Sequence, residues 1–201
     1  MTVLRRPGPH LALFGYTLLL LAPSFAIGLG LLPLDLRFHL LLAVSAFCIV
    51  PALLAGFSFA DLGLASRGDR HQWALGLMTT GVLAAIIVAE AELHPSSHPA
   101  PDWLRFVPFY ALVSSPLQEI VCRAIPKLIA ARLGASATSY VLFSSLLFSL
   151  MHFAYGDTIL LINSFFGGVA WSAVYLLTGN IWPVVVSHTT VGLFAFWLGL
   201  A

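Results

Sequence analysis

The sequence predicts an all-α fold, a polytopic bundle of seven or eight transmembrane helices, and three observations carry that prediction. Of its 201 residues, 60% are hydrophobic and 8% charged, with a mean hydropathy of +0.97, far from the composition of soluble domains. The apolar residues come in runs close to the ~20 needed to cross a ~30 Å hydrocarbon layer. Those runs are continuous and lack the period-2 alternation of a membrane barrel, so helices must satisfy the backbone within lipid.

The first span covers 11–32. Arg5 and Arg6 precede it as the basic start of a signal peptide would, but its length and the spans that follow predict a retained helix. Spans two and three cover 40–59 and 73–91. A fourth apolar region, 103–133, is one span or two. The last three spans cover 137–153, 158–177 and 181–198. Trp73, Trp103, Trp182 and Trp197 fall near span ends, where interfacial anchors belong. Arg5, Arg6, Arg67 and Arg70 flank the first three spans on one side, while 92–102 holds no Lys or Arg, which predicts a cytoplasmic N-terminus. Beyond Arg132 the chain has no Lys or Arg, so the same rule does not orient the last three helices. The expectation is one transmembrane domain, 1–201, in a bacterial plasma membrane.

With a net charge of +1, no field points to nucleic acid or to acidic ligands as partners. Cys48 and Cys122 sit in apolar runs without a motif and read as small core residues. His94 and His98, in the loop "HPSSHPAPD", could hold a metal, although a solvated Pro-rich loop fits them better because neither carboxylate nor thiol joins them.

Charges inside lipid are costly and call for a reason. In "SSPLQEIVCR", Ser115, Pro116 and Gln118 have the form of a helix start, with Ser at the N-cap, Pro at the first position and Gln closing a capping box. The expectation is therefore a helix break near Ser115-Pro116. Glu119 and Arg123, four apart on one face, can pair directly. They form either a base poised for proton transfer or a structural ion pair. Glu119 lies fifteen residues before Gly134 and His152 eighteen after it, so a hairpin at Gly134 brings both to similar depth, ~22 and ~27 Å from the turn. His188 lies nearer the opposite turn, at Gly179 and Asn180, so sharing a cavity with the other two requires a tilted, short or displaced helix. Glu119, His152 and His188 would also suit zinc as an alternative to a cofactor-free site. Gly167, Gly168, Ala170 and Ser172 permit close helix approach, or pack ordinarily.

The stretch 103–192 resembles the CPBP family of intramembrane proteases, which includes type II CAAX prenyl endopeptidases and Abi-like bacteriocin-immunity relatives. The family's E-E-x-x-x-R motif is similar to Gln118 through Arg123, its F-x-x-x-H to Phe148 through His152, and the histidine of its third motif to His188. "YLLTGNIWP", Tyr175 to Pro183, also resembles the family. The resemblance implies a glutamate-type membrane endopeptidase acting through an activated water, without a cofactor, on a membrane-associated or prenylated substrate. It implies Glu119 as base, Arg123 orienting it, His152 holding the water and His188 donating to the tetrahedral oxygen. Gln118 stands where the family has its first glutamate, and Gly192 where the third motif carries Asn or Asp. The alternative is an inactive member of the family, a scaffold, chaperone or immunity factor that binds another membrane protein.

Overall fold

Apolar side chains cover the outside of this protein, and a cluster of buried polar groups sits within its otherwise apolar core. The computed structural model describes residues 8–93 and 100–200, so His94 and His98 lie outside the described residues. Among these it contains seven helical rods and no strand. We number them α1 (Pro9–Gly28), α2 (Arg37–Leu54, entered by a 3-10 turn at Leu34–Leu36), α3 (Arg70–Leu93), α4 (103–133), α5 (Ala137–Met151, ending in a 3-10 turn at His152–Tyr155), α6 (Thr158–Thr178) and α7 (Trp182–Trp197). Five stretches, His10–Gly28, Leu34–Leu54, Arg70–Leu93, Ala137–Tyr155 and Thr158–Thr178, are long and apolar enough to cross a membrane. The fourth region is one rod, not two.

Local chemistry sets the ends. Ser136 caps α5 by accepting from Ser139 N at 3.1 Å, and Asp157 caps α6 by accepting from Ile159 N and Leu160 N at 2.8 and 3.0 Å. Gly134 and Gly179, at φ +65° and +62°, close α4 and α6 in the left-handed conformation that glycine adopts without a steric penalty. On their outer faces Phe14, Leu54, Leu104 and Leu112 are exposed, whereas Ser114, Ser115, Glu119, Arg123, Ser144 and His188 are buried.

The regular helix is interrupted near Ser115-Pro116, but not by a restart. Ser114 and Ser115 keep helical dihedrals and no side chain caps a new N-terminus there. Instead, α4 widens into π turns at Tyr110–Ser114 and Ile120–Ala124, each followed two residues later by a proline, Pro116 and Pro126. Proline lacks an N–H and crowds the carbonyl four residues back; widening the turn relieves both. Three successive carbonyls of the second π turn take side-chain donors from neighbouring helices: Tyr16 on Val121 O, Ser144 on Cys122 O and Tyr140 on Arg123 O. Irregular backbone is thereby satisfied within the bundle.

α5 and α6 form the closest hairpin. A β-carbon at Gly168 would lie 2.9 Å from Ser145 Cα, and Ser144 Oγ lies 2.7 Å from Ser172 Oγ. Gly168→Ala is therefore expected to destabilise the protein by about 1–3 kcal/mol, the usual cost of overpacking. Gly81→Ala, where a β-carbon meets nothing within 4 Å, is the control; thermal unfolding in detergent compares them.

Loop 55–69 folds beneath the start of α7. Ile181 N donates to Gly63 O at 3.1 Å, Trp182 Nε1 donates to Leu64 O at 3.1 Å, and Leu62, Asn180 and Ile181 are buried. α7 thus begins inside the protein, displaced inward from the loop-covered surface. That displacement puts His188 at the depth of Glu119.

Candidate active site

α4 carries the acid of the site. Glu119 is fully buried, with Oε2 3.2 Å from Arg123 Nε and Oε1 2.7 Å from His188 Nδ1. The contact with Arg123 is an ion pair without hydrogen-bond alignment, since neither Glu119 Oε2 nor Arg123 Nε has a hydrogen-bond partner among the described residues. The guanidinium also lies 4.6 Å over the Phe148 ring and reaches Ser144 O and Oγ at 3.5 Å. Beside an ionised carboxylate, which only accepts, Nδ1 of His188 carries a proton. Arg123, Glu119 and His188 therefore form one polar chain across α4 and α7.

Aromatic rings fix the imidazoles. His188 stacks on Trp171 at 4.6 Å and meets Phe148 edge-on at 5.1 Å, while Trp171 Nε1 donates to Ser187 Oγ at 2.9 Å. Phe148 also meets His152 at 4.7 Å. The phenylalanine of the F-x-x-x-H pattern thus touches Arg123 and both histidines. His152 Nδ1 lies 2.8 Å from Phe148 O. A carbonyl only accepts, so Nδ1 carries that proton and Nε2 is the acceptor nitrogen.

These groups surround a cavity of about 290 Å³ between α3, α4, α5, α6 and α7. Gln118, His152, His188 and Tyr110 all line it, together with apolar residues such as Leu83 and Phe166. Gln118 Nε2 donates to Ser114 Oγ at 2.9 Å, a bond within α4 in place of the expected cap. Glu119 does not line the cavity; it lies behind His188, which does. Gln118, His152, Tyr155 and Phe38 also bound a smaller space of about 70 Å³ towards α1 and α2.

Glu119, His152 and His188 do not assemble as a zinc set, because Glu119 meets the Nδ1 edge of His188 and the Nδ1 of His152 is bound to its own helix. Among the described residues no three His, Cys, Asp or Glu side chains gather closely enough to hold a metal. Cys48 and Cys122 are both free and buried. Tyr110 and Trp171 escaped the sequence reading because an aromatic residue in an apolar helix carries no signal of its own.

A family model described as type II CAAX prenyl endopeptidase, Rce1-like, matches residues 100–194. No curated protein and no solved structure matches the chain. The matched stretch holds α4 to α7 up to Phe194, and with them Gln118, Glu119, Arg123, His152 and His188. Residues 100–194, just under half of the chain, thus match the Rce1-like type II CAAX prenyl endopeptidases, a family of membrane proteases, in agreement with the CPBP resemblance that the motifs carry.

Proposed function

We propose that this protein is an intramembrane endopeptidase that hydrolyses a peptide bond of a membrane-associated or prenylated substrate, with water as nucleophile and no cofactor. The observation that carries this reading is that two imidazoles, His152 with a free acceptor nitrogen and His188 backed by Glu119 at 2.7 Å, wall one largely apolar cavity. Gln118 cannot take a proton and Glu119 does not line the cavity, so the base role moves to His152. His152 Nε2 takes a proton from water as its oxygen bonds to the carbonyl carbon, and the carbonyl electron pair moves to oxygen. That oxygen is received by His188 Nε2–H, in the doubly protonated form that Glu119 stabilises from behind. Collapse breaks the C–N bond, and the departing amine takes the proton back from His152. Arg123 positions Glu119, and the Gln118 amide orients the water.

The test is cleavage by the purified protein in lipid nanodiscs of a panel of transmembrane and farnesylated peptides. Glu119→Gln is expected to lower kcat about 10²–10³-fold, the cost of disabling an oxyanion donor. Unchanged turnover in that variant, or no cleavage by wild type of any peptide, would overturn the reading.

The same proposal includes orientation. Among the described residues, Arg67, Arg70, Lys127 and Arg132 gather at the end of the bundle where α1 starts, against Arg37 and Arg105 at the other end. The positive-inside rule makes the first end cytoplasmic. The cavity is lined by the first half of α4, the last halves of α3, α5 and α7 and the first half of α6, which puts it in the opposite leaflet. A membrane-impermeant thiol reagent is expected to label Ala100→Cys and not Ala135→Cys in intact cells; the reverse pattern would invert the topology.

A further inference from the structure

We propose that Tyr110 is a catalytic residue of this protein: its hydroxyl is a second donor to the substrate's carbonyl oxygen and occupies the space left by the absent side chain at Gly192. The proposal rests on the peptidase reading above and names a group which that reading does not contain.

The argument starts from the spacing on α7. Positions 188 and 192 are one helical turn apart, on one face, and both line the cavity. A side chain at 192 would project beside His188, but here the residue is glycine. The space is filled from α4. A β-carbon built at Gly192 would lie 2.8 Å from Tyr110 Cζ and closer still to its hydroxyl, a separation that real side chains do not adopt. Tyr110 in this position and any side chain at 192 therefore exclude one another. The group that occupies this space beside His188 is a polar one, the phenol O–H of Tyr110.

The ring is held firmly enough for this role. Tyr110 is buried, stacks on Phe106 at 5.2 Å and meets Phe196 edge-on at 5.7 Å. It opens the first π turn of α4, where widening of the helix alters the direction in which its side chain leaves. Its Oη lies 3.2 Å from His188 Nε2. When His188 carries protons on both nitrogens, Nε2 no longer accepts from Tyr110 Oη, so the hydroxyl proton is free for an acceptor in the cavity while Nε2–H keeps its own place on the substrate oxygen. A carbonyl oxygen beside that hydroxyl gains negative charge as water adds, and a donor already in place then strengthens without reorganisation. No proton leaves Tyr110, so the balance of the hydrolysis above is unchanged.

The experiment uses the full-length protein in nanodiscs and whichever panel peptide wild type cleaves. Tyr110→Phe keeps the ring and its stacking and removes one oxygen; kcat is expected to fall about 10²-fold, as for loss of one oxyanion donor, with KM within twofold. Gly192→Asn is expected to lower both kcat and the melting temperature, because its side chain meets Tyr110. Tyr110→Ala combined with Gly192→Asn is expected to regain melting temperature over Gly192→Asn alone and kcat to within tenfold of wild type. If His188→Ala abolishes cleavage while Tyr110→Phe retains wild-type kcat, the role of Tyr110 is overturned and the peptidase reading stands. If wild type cleaves nothing, or His188→Ala cleaves like wild type, that reading fails and takes this proposal with it.

Discussion

Arg123→Met is expected to destabilise the protein by about 3–5 kcal/mol, the cost of leaving one member of a buried ion pair without its partner. Both groups are 0% exposed, so the Glu119 carboxylate, left with the His188 contact alone, could not recover its lost stabilisation from water. Methionine fills much of the same volume and can still pack on Phe148, which separates the electrostatic loss from a cavity effect. The decisive comparison is Arg123→Met with Glu119→Gln in one chain. Removing both charges removes the penalty of an isolated one, so the double variant is expected to be more stable than Arg123→Met alone. Equilibrium unfolding in mixed micelles reads both. For scale, Tyr140→Phe, which deletes only the donor to Arg123 O, is expected to cost about 1 kcal/mol, the net worth of one hydrogen bond. If Arg123→Met costs no more than that, the ion pair does not hold α4 in register.

The order of these effects bears on what could be read from sequence. Composition and run length suffice for seven helices, because lipid permits few alternatives. Gly134 and Gly179 end α4 and α6 as expected. The pairing of Glu119 with Arg123 follows from their spacing alone, since positions four apart share a face. What the residue string hides is whatever depends on three-dimensional register. Ser115-Pro116 has the same local form whether a helix begins there or merely widens, and the outcome depends on Tyr16, Tyr140 and Ser144, which arrive from other helices to satisfy the π-turn carbonyls. The depth of His188 could not be counted from its turn, because loop 55–69 folds under α7 and buries Ile181, a contact between segments more than a hundred residues apart. Glu119 is likewise legible as a buried acid but not as one screened from the cavity by His188; a one-residue rotation of α4 would exchange its environment with that of Gln118.

That exchange is what gives His152 the largest expected effect on activity. Among the groups that line the cavity, Gln118 has no basic site, Tyr110 and Tyr155 are phenols, and His188 is engaged by Glu119 through Nδ1. His152 donates from Nδ1 to a neutral carbonyl, which fixes its tautomer without adding a charge behind it, so its Nε2 is left to accept a proton from water. His152→Ala is therefore expected to lower kcat about 10²–10⁴-fold, the range of a positioned general base. Two readouts separate this from a packing defect, since the ring also lies against Phe148 and Tyr155. Added imidazole is expected to restore part of the turnover of His152→Ala, which a purely structural role would not allow. The double variant His152→Ala, Glu119→Gln is expected to lose about the product of the two single losses, because a base and an oxyanion donor contribute separately to one transition state. A double variant no slower than the worse single one, or no rescue by imidazole, would place the base elsewhere in the cavity wall, and His188 would then be the remaining imidazole able to fill the role.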